Sequence, residues 1–138
     1  MTKVTLTNLV DRANAANGLL APERVRTATV EALVDTGATT MALPADVVAA
    51  LGLSEFDRRR VRMANGAVEE LPVVADLFIE ILGRTCSCEV FVLPAGATPL
   101  LGQVPLELLD LVVDPKSREA RVNPASPDMP LLDLLRAS

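Results

Sequence analysis

Histidine is absent from this 138-residue chain, and so are tryptophan and tyrosine. Without imidazole there is no Ser-His or Cys-His nucleophile, no His-ligated metal and no side chain that ordinarily titrates near neutrality. Proton transfer is left to carboxylates, thiols, amines or bound water, and carboxylates are the obvious choice. Three Phe make up the whole aromatic complement, which removes the stacking platforms used to hold single-stranded nucleic acid. Positive charge is also short: 13 Lys and Arg against 18 Asp and Glu leave a net −5. That balance disfavours a phosphate backbone, so no nucleic-acid partner is expected. The one basic cluster, Arg58-Arg59-Arg60, reads as a solvated loop. The two cysteines, Cys86 and Cys88, share one face of a predicted strand, where a bond between them would be strained. They read as small buried residues kept reduced rather than as a redox or metal pair. No 18-residue apolar run exists, and no cationic start leads into a sustained apolar stretch. The expectation is a soluble, cytoplasmic protein with no membrane partner.

Half of the residues are apolar, enough for one domain to bury a core without disulfides or a structural metal. The chain reads as a single domain, 1–138, with its core at about 25–115. Alternation predicts a short strand over Lys3–Thr7, a turn-rich break over Asn14–Gly18 and a longer strand over Val25–Val34. Pro44–Leu51 is predicted as a helix with Gly52 just past its end. Arg60–Ala64 and Ala67–Val73 flank Asn65-Gly66, a strong hairpin signal. A second hairpin is predicted from Ala75, Leu77, Ile79 and Ile81, through a turn at Gly83-Arg84, to Cys86, Cys88, Val90 and Val92. Leu100-Leu101-Gly102 precedes a predicted helix, Pro105–Leu111, with Leu106 and Leu109, and Leu108 beside them, as its buried side. Val112-Val113 is predicted as a strand. The Pro-rich tail 117–138 and the strand 3–7 are expected at the periphery or in a dimer interface, the tail draped over a neighbour. The pattern describes a mainly β protein, a barrel or folded sandwich with short helices.

Nine Asp and nine Glu are present, and only Asp35 and Asp114 directly follow apolar strands. Asp114 precedes Pro115 and reads as a turn start. Asp35 is followed by Thr36, whose hydroxyl can fix a loop through backbone groups. Gly37 then permits close backbone approach, and Ala38 adds no bulk. A tight turn between strand and helix is the plain structural alternative for these residues.

Taken together, the motifs resemble the retropepsin-like aspartic peptidases, the single-domain retroviral type also found in bacteria. Leu33-Val34-Asp35-Thr36-Gly37-Ala38 resembles the active-site strand and loop, and Leu43-Pro44 with its helix resembles a common continuation. Met63-Ala64-Asn65-Gly66 falls at the flap hairpin. Leu100-Leu101-Gly102, a leucine-rich helix and Leu111-Val112-Val113-Asp114 resemble the closing motif. The resemblance implies a closed or partly closed acid-protease-like β-barrel with one or two short helices, acting as a homodimer on a peptide or protein substrate. It implies Asp35 as the catalytic residue, Thr36, Gly37 and Ala38 as loop support, and Met63, Ala64, Asn65, Gly66 and Ala67 as the flap. No cofactor and no metal are implied. Retroviral members pair an Arg after the closing glycine with an Asp near the active-site loop. Here those positions hold Gln103 and Thr39, and a neutral hydrogen bond between them is the expected substitute.

The implied activity is peptide hydrolysis by a water activated between two Asp35 carboxyls, one per subunit, with an acid-shifted profile. The rival reading is a dimeric peptide-binding or scaffold module of the same fold without meaningful turnover. A metal-dependent hydrolase built from clustered Asp and Glu has no ligand spacing in its favour.

Overall fold

A computed structural model describes residues 1–134. Residues 135–138, the end of the predicted tail, lie outside the described residues. Nine strands and three α-helices are formed by them: β1 Thr2–Asn8, α1 Leu9–Ala16, β2 Thr27–Val34, β3 Met41–Pro44, α2 Ala45–Leu51 and β4 Glu55–Arg62. After these come β5 Val68–Ile81, β6 Arg84–Leu93, β7 Leu100–Leu101, α3 Gln103–Leu108, β8 Leu111–Val113 and β9 Ala120–Val122.

Strand order in the large sheet is β1-β2-β7-β3-β6-β5-β4, and β1 also pairs with β5. Six strands therefore close into a ring, the acid-protease-like barrel expected from the sequence, with β4 attached outside it. The strand predicted over 3–7 is the closing member: it pairs antiparallel with β2 (Thr2↔Ala32 to Thr7↔Thr27) and with β5 (Thr5↔Glu80 to Asn8↔Leu77). Its alternation is clean, with Thr2, Val4, Leu6 and Asn8 buried. The barrel is filled by Val4, Leu6, Met41, Leu43, Leu51, Leu77, Ile79, Ile81, Val90, Leu101 and Leu109, all at most 1% exposed. Each such side chain contributes roughly 1.5–3 kcal/mol by leaving water.

Several elements depart from the sequence reading for identifiable reasons. Helix α1 was not predicted, because Asn8 ends β1 and caps the helix with no break between them: its Oδ1 accepts from Asp11 N at 3.0 Å. The same side chain donates from Nδ2 to Leu51 O at 2.8 Å, which satisfies it in the core. The two predicted hairpin arms 67–73 and 75–81 are one strand, β5, with a register shift between Val74 and Leu77. Asp76 absorbs the extra residue with φ 63°, so the strand bends and changes its buried phase without ending. Its first half pairs with β4 and its second half with β1. Arg58-Arg59-Arg60 is solvated as expected, but it lies on β4, not in a loop. Arg58 pairs with Glu70 and Glu55, and Arg59 with Asp57 and Glu89. The turn after β5 is Leu82-Gly83, both with positive φ, one residue earlier than predicted. Arg84 consequently sits in β6 and is buried. The α2 prediction holds, with Val48 and Leu51 buried and Gly52 left-handed at φ 65°.

Helix α3 is shorter than predicted and buries Leu106 and, just past its end, Leu109, whereas Leu108 is 38% exposed. It gives way to β8, which pairs with β9. The chain from Asp110 to Leu131 folds back on its own barrel and forms a strap. Ala120 N donates to Thr2 Oγ1 at 2.8 Å. Further on, the Asp110 carboxylate accepts from Ser126 Oγ, from Asn123 Nδ2 at 3.0 Å and from Leu131 N at 3.0 Å.

Those donors, Ser126 first, then Asn123 and the Leu131 amide, pull the Asp110 carboxyl from its ordinary 3.8 down to about 2. A folded-state value below the unfolded one means that the contribution to stability is complete above the unfolded pKa and lost as pH falls through the folded one. The strap should therefore stay docked in mildly acidic buffer and loosen between about pH 4 and pH 2. Amide exchange at Ser126 and Leu131 followed against pH tests this. Loosening that begins near neutrality would contradict it, and Asp110→Asn should abolish the acid dependence.

Candidate active site

Asp35 follows the last residue of β2, at the mouth of the barrel, and begins the loop 35–40 that leads to β3. The loop is held from inside by two short bonds: Gly37 N donates to Asp35 Oδ1 and Ala38 N to Asp35 O, each at 3.0 Å. A Cβ on Gly37 would lie 3.2 Å from Asp35 Oδ1, so glycine lets the amide reach the carboxylate without crowding. Oδ2 has no partner within the described chain.

From outside, the loop is tied to the segment 99–104. Strand β7 runs parallel to β2, with Leu33↔Leu100 and Val34↔Leu101 in register. Asp35 N donates to Leu101 O at 2.9 Å, Gln103 N to Ala38 O at 2.8 Å and Val104 N to Thr39 O at 2.8 Å. Gly102 crosses so close that a Cβ there would lie 2.2 Å from Thr40 O and 2.7 Å from Ala38 O. Thr40 Oγ1 secures the far end by donating to Glu89 O at 2.7 Å.

Two expectations bear on this geometry. The Thr36 side chain is exposed and makes no hydrogen bond among the described residues, so within one chain backbone groups and Asp35 itself hold the loop. Gln103 and Thr39 are adjacent, but the bond between their segments is main-chain: the Gln103 amide turns to Glu107 Oε1 at 3.0 Å instead.

Opposite the loop, β4 and β5 project as a hairpin. Its turn is shaped by Met63 N to Ala67 O (2.7 Å), Gly66 N to Met63 O (2.9 Å) and Ala67 N to Asn65 Oδ1 (2.9 Å), with Gly66 at φ 85°. Between hairpin and loop lies a cleft of about 640 Å³. It brings Asp35, Gly37 and Ala38 together with Met63 and Ala64; Thr36, Asn65, Gly66 and Ala67 do not line it. Sequence reasoning missed its floor, which is a second apolar cluster separate from the barrel core: Ala42, Leu71 and Leu93 with Val61, Phe91 and Leu100 packed on them. No local signal marked it, because the phase change within β5 that turns Leu71 toward this cluster while Leu77 faces the barrel shows only against the partner strand. Residues 60–64 line the cleft consecutively. Among the described residues Asp35 is the one acidic group lining it.

Cys86 and Cys88 are free and half-buried. Burial pushes their thiols up to about 11 and about 12, which keeps them protonated and unsuited to nucleophilic work. No group of three or more metal-ligating side chains is found among the described residues, and no described helix is long and apolar enough to cross a membrane.

A six-stranded barrel with an Asp-Thr-Gly loop at its mouth, facing a hairpin across a cleft, defines a retropepsin-like aspartyl protease domain. The model of the family described as gag-polyprotein putative aspartyl protease matches residues 21–107, and the chain belongs to that family. No curated protein matches the chain. Strand β1 and the strap lie outside the matched residues.

Gly102→Ala tests the crossing directly. Two backbone carbonyls cannot yield to a methyl group, so the substitution should cost about 2–3 kcal/mol in urea unfolding and disturb the amide signals of Ala38 to Thr40. A variant with unchanged stability and spectrum would show that the crossing is looser than described.

Proposed function

We propose that the chain is an aspartic endopeptidase that works as a homodimer, Asp35 of each subunit supplying half of a two-carboxyl site. The observation that carries this reading is the solitary acid: among the described residues, Asp35 lines the cleft with no second carboxylate beside it. Water attack on a peptide bond calls for a base and an acid at one place, and a two-fold axis next to loop 35–40 supplies the second from an identical chain. Two carboxyls in contact cannot both remain charged cheaply, so the pair holds one proton between them. The ionised member takes a proton from a bound water, whose oxygen attacks the scissile carbonyl carbon. The protonated member donates to the carbonyl oxygen, giving a neutral tetrahedral diol. The proton taken from the water then passes to the leaving nitrogen as the C–N bond breaks, while the other carboxylate takes back a proton from a diol hydroxyl; no acyl-enzyme forms.

Gly37 N–H anchors Oδ1 and leaves Oδ2 open to the water or to the other carboxyl. The hairpin around Met63 to Ala67 serves as a flap over an extended peptide. The end of β4 at Arg60 to Arg62, which lines the cleft, offers that peptide main-chain partners. The floor of Ala42, Leu71, Phe91 and Leu93 suits apolar side chains beside the scissile bond.

Asp35→Asn should lower peptide hydrolysis by at least about a thousandfold while sedimentation still shows the dimer. Unchanged cleavage would refute the role of Asp35. Specific activity of the wild type should also fall on dilution through the range where dimers dissociate; a fully active monomer would contradict the shared site.

A further inference from the structure

The strap after α3 reaches the Asp35 loop through a short rigid connection. Helix α3 has six residues and is about 9 Å long at 1.5 Å per residue. Its first two amides, Gln103 and Val104, hold Ala38 O and Thr39 O. Just past its other end stand Leu109 O and Asp110 O, which accept from Arg84 Nη1 at 3.1 and 2.9 Å. Arg84 is only 6% exposed, and its remaining Nη2 donates to Ser126 O on the strap. A buried guanidinium is expensive unless its donors are filled, so the end of α3 and the strap are fixed by one and the same side chain. Asp110 completes the junction with a backbone at φ 51° and a carboxylate that gathers Ser126, Asn123 and Leu131.

We infer that residues 110–131 act as a positioning strap for the loop that bears Asp35, with Arg84 and Asp110 as the positioning residues and α3 as the link. The catalytic consequence rests on the peptidase reading above; the mechanical coupling does not. While the strap is docked, α3 cannot shift along its axis, and its two N-terminal amides hold Ala38 and Thr39 in place. Release of the strap strips Arg84 of its Ser126 acceptor and Asp110 of its carboxylate donors, which loosens the hold on the end of α3 and frees the loop to move relative to the cleft.

The test is amide exchange by NMR in full-length Asp110→Ala, alongside steady-state cleavage of a peptide. Exchange at Gln103 and Val104 should quicken by about tenfold or more while Leu6 and Leu77 in the barrel keep wild-type rates; kcat should fall about tenfold with KM changed less than twofold. Asp110→Asn, which keeps an acceptor for Asn123, should recover part of both losses. If Asp110→Ala does not fold, the pair Asn123→Ala and Ser126→Ala loosens the strap with Asp110 in place and is read the same way. Wild-type exchange at Gln103 and Val104 in a variant whose Leu131 amide has become exposed overturns the inference. A wild-type chain that cleaves no peptide overturns the peptidase reading alone, and the exchange rates still decide the strap.

Discussion

The site depends on a crossing of two backbones. The chain from Pro99 to Val104 passes under the loop that begins at Asp35, so closely that Gly102 has two carbonyl oxygens where a side chain would start. Four backbone bonds tie the two segments: Leu33 N to Pro99 O, Asp35 N to Leu101 O, Gln103 N to Ala38 O and Val104 N to Thr39 O. A loop of small residues has few side chains with which to brace itself. It borrows rigidity from a strand and a helix that are themselves packed into the barrel through Leu101 and Leu106. The missing charged pair at Thr39 and Gln103 is therefore no weakness, because main-chain bonds do not depend on those side chains.

One strand serves both the barrel and the cleft. Without the bulge at Asp76, β5 would present a single buried face to a single layer. With it, Leu71 supports the cleft floor while Leu77, Ile79 and Ile81 fill the barrel. The division leaves two apolar clusters in a small chain: one closed and structural, the other open on the side that Asp35 faces.

Features specified by neighbouring residues were legible in the sequence. The apolar strand before Asp35, the Leu-Leu-Gly junction, the Pro44 and Gly52 ends of α2 and the Asn65-Gly66 turn each have a local physical cause, and each is found where expected. Features that rest on distant partners were not. Nothing near Asn8 says that it will cap a helix and bond to Leu51, and nothing near Ala120 says that it will meet Thr2. Asp76 was unreadable for a related reason: a left-handed aspartate within a strand resembles a turn until its partner strand is seen to continue past it. The cleft floor was missed as a result, although every residue in it is an ordinary apolar one.

Ring closure has a further effect on the large sheet. Each strand of the ring has a neighbour on either side, and among the described residues β4 is the member hydrogen-bonded on one side only. A bare edge invites other chains to extend the sheet, a hazard commonly blunted with charge. Glu55, Asp57, Arg58, Arg59, Arg60 and Arg62 occupy six of the eight positions of β4. Mixed in sign and partly paired, they discourage indiscriminate stacking of copies while leaving the main chain of that border open to a single visiting strand.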